Sequence, residues 1–202
     1  TSRGKKHLGA VIGTIEYRQE FISNLVQNWI EQINMLSEIA SFEPQAAYTA
    51  FTTCVRHRYT FYMRTVPDIS LLLEPLETAI RHKLIPALTE GRICSDDERM
   101  LLSLPVRIGG MGIINPMILS DSEHENSKQA TSTLTAAIMC QQLKLPEDLY
   151  EQNKLAKNEI RIRRRKQHEH QLEDLKSRMS ESQQRSHTLA CEAVSSNWLT
   201  TL

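Results

Sequence analysis

The 202-residue chain is short of most of the residues that build a dedicated chemical site. Its four cysteines, Cys54, Cys94, Cys140 and Cys191, stand 40 to 51 positions apart with no C-x-x-C pair. That spacing excludes a zinc-binding cysteine cluster and a disulfide frame, and it reads as free thiols of an intracellular protein, with nucleus and cytoplasm left open. Aromatic residues make up only 5%, and mean hydropathy is -0.39, so the core is modest and wrapped in polar helices. No apolar run approaches the roughly 18 residues of a membrane span, and Thr1 to His7 contains no signal-peptide core. No membrane partner is expected. Lys plus Arg equals Asp plus Glu at 24 each, so net charge points to no class of partner and the distribution of charge has to be read instead. The sequence opens on Thr1 without an initiating Met and reads as a piece of something longer.

What is present is mostly helical periodicity. Residues 4 to 15 carry β-type apolar residues between glycines, which suits a short strand or hairpin. From Glu16 to Ala40, Phe21, Leu25, Val26, Trp29, Ile30, Ile33, Leu36 and Ile39 recur every three or four positions, the pattern of an amphipathic helix. A second helix opens at Pro44 and runs to about Thr65 on the stripe Ala47, Phe51, Cys54, Val55 and Tyr62. A third starts near Pro67-Asp68 and ends by Gly91; Pro75 predicts a bend and Pro86 a second irregularity.

Ser95-Asp96-Asp97-Glu98 has the capping-box pattern ahead of a short helix. Paired carboxylates also invite a metal reading, but a first helical turn attracts negative charge through the helix dipole, so Asp96 and Asp97 are assigned to the cap.

Three of the seven glycines and two of the seven prolines fall between Leu104 and Pro116. Gly109, Gly110 and Gly112 mark a structural turn, and Val106 and Ile108 facing Met111, Ile113 and Ile114 suggest a hairpin. A phosphate-cradling loop is disfavoured, because neither G-x-G-x-x-G nor a following Lys-Ser/Thr is present. Beyond it, a helix over residues 117 to 143 has Leu134, Ala137 and Ile138 on its useful face. Leu145-Pro146 punctuates the chain. A long, charged and partly frayed helix runs from Glu147 to about Arg185, and the apolar character from Leu189 to Leu199, with Trp198, suggests a docking segment.

Two clusters carry the charge argument. Arg161, Arg163, Arg164, Arg165 and Lys166 place five cations in six positions, which can bind phosphates by releasing counterions or can simply be a solvated helix face. Arg56, Arg58 and Arg64 lie beside Tyr59, Phe61 and Tyr62, a mixture that single-stranded nucleic acid uses, or a helix with buried rings and solvated arginines. His168-x-His170 is too closely spaced for a helical metal pair. No nucleophile, base and orienting acid can be grouped, and no cofactor or metal is expected.

Lys6-His7-Leu8-Gly9-Ala10, the Trp29-bearing helix and Gly109-Gly110-Met111-Gly112 come in an order that resembles reverse transcriptases of the non-LTR retrotransposon type, in the region downstream of the catalytic palm. Leu8-Gly9 matches the primer-grip turn of that family. Gly109-Gly110-Met111-Gly112 matches its later Gly-Gly-Leu-Gly stretch, with Met in place of Leu, and Asn197-Trp198-Leu199-Thr200 looks like a segment beyond the thumb. The resemblance implies a mainly α fold with a primer-grip strand remnant at 1–15, a thumb-like helical domain at 16–143 that includes a glycine hairpin at 104–116, and a charged helical tail at 144–202.

It also implies RNA or DNA as partner, together with the palm and fingers of a parent polymerase. Lys5, Lys6, His7, Leu8 and Gly9 sit at the grip match, and the arginines of the second helix are candidate phosphate contacts. No Tyr/Phe-x-Asp-Asp motif occurs, so the palm carboxylates that hold two metal ions in a polymerase are missing. The expectation is a fragment that binds nucleic acid without polymerising; the alternatives are a helical protein-interaction module, or a gene fragment without selected function.

Overall fold

The computed structural model describes residues 3–141 and 148–192. The punctuation at Leu145-Pro146 and the apolar segment around Trp198 lie outside these residues. The fold is mainly α, with seven helices and one short antiparallel sheet among the described residues.

The expected N-terminal hairpin forms. Strand β1 (Gly4–His7) pairs with β2 (Ala10–Gly13), in the register Gly4 with Gly13 and His7 with Ala10. Leu8 (φ 47) and Gly9 (φ 86) make the two-residue turn, and positive φ at both positions is the conformation that suits the twist of a hairpin. Thr14 then caps helix α1 (Ile15–Ala40), its side chain accepting from the Tyr17 amide. Ile22, Val26, Trp29, Ile33, Leu36 and Ala40 form the buried stripe of α1, so Ile22 joins the expected face while Ile39 is exposed.

Helix α2 covers residues 44–65 and is not uniform: Pro44–Ala50 is α, Phe51–Val55 is a π turn, and Arg56–Thr65 is α again. Its buried apolar residues Ala47, Phe51, Val55, Tyr59 and Met63 are spaced by four throughout, with Thr60 buried beside them. On a regular helix each four-residue step overshoots one turn by about 40°. The wider π turn absorbs part of that drift and keeps the row aimed at α1. This corrects one expectation, since Cys54 turns out to solvent; of the two readings of the aromatics, Tyr59 follows the one with buried rings.

Helix α3 covers residues 71–88 and meets its prolines by changing pitch. A 3-10 turn at Leu71–Leu73 precedes Glu74–Ala79, which carries Pro75 in its first turn, and a π turn at Ile80–Leu84 precedes Ile85–Leu88, which carries Pro86. The first helical turn starts at Leu71, not at Pro67-Asp68, because Asp68 adopts φ 57. Leu73, Leu76, Ile80 and Leu84 are fully buried and pack with the α1 and α2 rows in one apolar core.

Helix α4 (Asp96–Ser103) begins with the capping box read from the sequence, in which Ser95 accepts from the Glu98 amide and Glu98 accepts from the Ser95 amide. Helix α5 (Pro116–Met139), helix α6 (Leu149–Arg178) and helix α7 (Glu181–Glu192) complete the chain.

The glycine stretch is not a hairpin. Val106–Ile108 is a 3-10 turn, Gly109 and Gly112 have φ 84 and 65, and residues 110–115 form no regular structure and do not pair with 106–108. Their amides turn to α4 instead: Met111 and Ile113 donate to the Leu102 carbonyl and Gly112 to that of Leu104. Their carbonyls are taken by side chains. Tyr48 donates to Met111 at 2.6 Å, Arg56 to Gly112 at 3.2 Å, Arg99 to Ile113 and Ile114 at 2.7 and 3.2 Å, and His187 lies 3.0 Å from the Ile108 carbonyl. Buried peptide groups need partners, and here three helices supply what a second strand would have supplied.

Candidate functional site

The residues singled out in the sequence separate into three groups. Lys5, Lys6, His7 and Leu8 are exposed on the hairpin, and Gly9 at its tip lies near the Phe61 ring on α2. They stand apart from the residues that line the cleft described below. Among the aromatics near the second-helix arginines, Tyr59 and Tyr62 pack edge-on or tilted against Trp29, with centroids 6.1 and 5.5 Å away. They belong to the core and offer no stacking platform. Burial pushes the Tyr59 hydroxyl far above its ordinary value. Arg56 is engaged with the Gly112 carbonyl, and Arg58 faces solvent.

The second group joins helices. The register of contacts shows α5 and α6 running antiparallel: Glu123 meets Arg164, Asn126 meets Arg163, and Gln129 meets Glu159. Arg163 donates to Asn126 and Gln129 at 2.5 and 2.8 Å. Glu123 is buried and takes Arg164 from α6 on one side and Arg64 of α2 on the other, the latter at 2.8 Å. A buried carboxylate between two guanidiniums is compensated charge, and it ties three helices at one point. The long helix is therefore docked along this part of its length, with Ile160 and Leu175 buried.

The third group lines a cleft of about 1110 Å³ between α5, α6 and the 3-10 turn. Lys157, Arg161, Arg164, Arg165 and His168 present one face of α6, Arg64 reaches in from α2 and Arg107 from the turn. Six permanent cations face two carboxylates, Glu123 and Glu169. Arg165 pairs with Glu169 at 2.8 Å, while Arg107, Lys157 and Arg161 are exposed. Burial, with the charges of Arg107 and Arg164, holds the His168 imidazole below its ordinary value.

Four of the residues picked from the sequence, Arg64, Arg161, Arg164 and Arg165, thus share one cleft. Arg163 and Lys166 do not line it. Arg107, Lys157 and His168 were missed as site residues. Lys157 and His168 could have been found by extending the α6 face at three- and four-residue spacing from Arg161 and Arg164; Arg107 could not, since only the fold carries the glycine turn to this wall.

Gly109, Gly110 and Gly112 shape the turn and contact no cleft ligand chemistry of their own. Asp96 and Asp97 pair with Arg81 and Arg178, at 2.6 and 2.8 Å. Among the described residues no group of three or more His, Cys, Asp or Glu is placed to hold a metal ion, and no helix is long and apolar enough to cross a membrane. Comparison of the chain with protein-family models, with curated proteins and with solved structures gives no match.

Proposed function

We propose that the chain is a retroelement-derived, thumb-like helical fragment that holds the phosphate backbone of RNA or DNA in the α5–α6 cleft and does not polymerise. The observation that carries this reading is the convergence of Arg64, Arg107, Arg161, Arg164 and Arg165 from three separate elements on one concave surface. Clustered arginines suit phosphate because the planar guanidinium offers paired donors and keeps its charge. The row from Lys157 to His168 is about 16 Å long at 1.5 Å per residue, close to the rise of five nucleotides at 3.4 Å each. No Phe, Tyr or Trp lines the cleft among the described residues, so contacts to the backbone are favoured over stacking on bases.

The test is salt-dependent binding of labelled RNA and DNA oligonucleotides to the wild type and to the charge reversal Arg161→Glu/Arg165→Glu. These two side chains are exposed and neither joins α6 to α5, unlike Arg163 and Arg164. Affinity is expected to fall at least about tenfold in the double variant, with a shallower salt dependence, since each lost phosphate contact lowers the slope by about one. Binding absent at low salt, or unchanged by the reversal, refutes the reading. Primer extension with magnesium or manganese tests the second half, and reproducible nucleotide incorporation would overturn it.

A further inference from the structure

We propose that Arg107, Arg164 and His168 form an oxyanion subsite inside this cleft, in which a phosphate is bound together with one proton taken up by the His168 imidazole. The proposal rests on the nucleic-acid reading for its natural ligand, and on the following geometry for its chemistry.

The Nδ1 atom of His168 and the Nε atom of Arg164 are both shielded from solvent and both lack a hydrogen-bond partner, and both residues line an open cleft. An unsatisfied buried polar atom is unfavourable, so atoms of this kind beside a cavity mark where a ligand atom completes the set. The two residues are one turn apart on α6, four positions, and therefore point the same way. Arg107 comes from the opposite wall and is exposed to the cleft without a pairing carboxylate among the described residues.

Charge around His168 gives the proton its role. The α2 helix contributes Arg64, the turn Arg107, and α5 the carboxylate of Glu123, which is already shared by Arg64 and Arg164. From α6 itself come Lys157, Arg161, Arg164 and Arg165, with Glu169 paired to Arg165. The ring is partly buried and the surplus is positive, so burial first and charge second disfavour the imidazole as a cation in the free protein, consistent with its lowered pKa. A phosphate in the cleft reverses that sign. The imidazole then takes a proton from solvent on a ring nitrogen and becomes a donor at both nitrogens, and the neighbouring cations are screened by the anion. Linkage makes the effect reciprocal: if phosphate favours the protonated ring, acid favours phosphate binding.

The experiment measures binding of a short labelled RNA–DNA duplex at low salt between about pH 5 and 8, for the wild type, His168→Gln and Arg161→Glu/Arg165→Glu. In parallel, the His168 ring resonances of the wild type are titrated by NMR with and without inorganic phosphate. Wild-type affinity is expected to rise as pH falls, by up to about tenfold per pH unit for one proton taken up, and His168→Gln is expected to lose that slope. Added phosphate is expected to raise the His168 midpoint.

Equal pH slopes in the wild type and His168→Gln overturn the subsite while leaving salt-dependent binding, and with it the nucleic-acid reading, in place. No duplex binding at any pH removes that reading; the subsite then stands if phosphate raises the His168 midpoint and falls if it does not.

Discussion

At the scale of single residues, Gly109 and Gly110 serve the same turn for different reasons. Gly109 sits at φ 84, where a side chain strains the backbone, and a Cβ there would also lie 2.5 Å from the His187 ring. Gly110 has no such φ, but a Cβ would meet the Leu104 carbonyl oxygen at 2.0 Å, and that oxygen belongs to backbone that is itself anchored. Gly109→Ala is therefore expected to destabilise by about 1–2 kcal/mol, because the ring can move. Gly110→Ala is expected to cost about 3 kcal/mol or more, because a main chain must shift. Urea denaturation of both variants checks the order, and equal losses would contradict it. The sequence marked these glycines as a turn but misread its form. Alternating apolar residues around a glycine pair look like a hairpin only while the partners of their peptide groups are unknown, and here those partners are Tyr48, Arg56 and Arg99 from distant helices.

Between elements, two ion pairs of similar geometry differ in environment. Arg99 and Glu77 bond in a bidentate pair at 2.7 Å, with side chains only 4% and 10% exposed, and Arg99 also holds the Ile113 carbonyl. Glu123 is equally buried at 4%, but its partners Arg64 and Arg164 are 51% and 35% exposed. Removing the carboxylate charge strands a buried guanidinium in the first case and leaves two solvated ones in the second. Glu77→Gln should thus cost about 3–5 kcal/mol, whereas Glu123→Gln should cost about 1–2 kcal/mol. Chemical denaturation monitored by far-UV circular dichroism measures both, and a larger loss for Glu123→Gln would sink the argument.

Helices were the most legible elements. The α1 stripe and the α4 capping box both follow from local rules that need no knowledge of the rest of the chain. Of the face read for α5, Ala137 is buried but Ile138 is exposed, and the buried Ser120, Glu123 and Asn126 are polar, so a search for apolar periodicity passes over them. Glu123 and Asn126 are met by Arg164 and Arg163 of α6, whose positions along a second helix set the match.

For the whole molecule, the cleft links charge to acid stability. In the folded chain His168 is held below its ordinary value of 6.5, so the unfolded chain binds the proton first as pH falls. Stability from the neutral ring is fully present above about 6.5 and is lost as pH drops from there through the lowered folded value; below that value both states are protonated and the loss stops. Wild type is expected to lose more stability than His168→Gln between about pH 7 and 5, read from urea midpoints at each pH. Parallel losses would show that neither burial nor the surrounding arginines disfavours the charged ring. Added phosphate is expected to narrow the difference.

By itself the sequence determined the helical periodicities, the N-terminal hairpin, the α4 cap and the place where helical structure is interrupted, because each depends on residues within a few positions of one another. It also determined which cations were available. Only the tertiary structure decided which of them meet: it packed Tyr59 and Tyr62 against Trp29, spent Arg163 on joining α6 to α5, and set Arg64, Arg107 and Arg161 around one cleft. The reason is that local chain geometry sets the face of a helix on which a side chain lies, whereas the charge, ring or carbonyl it finds there depends on how distant segments pack.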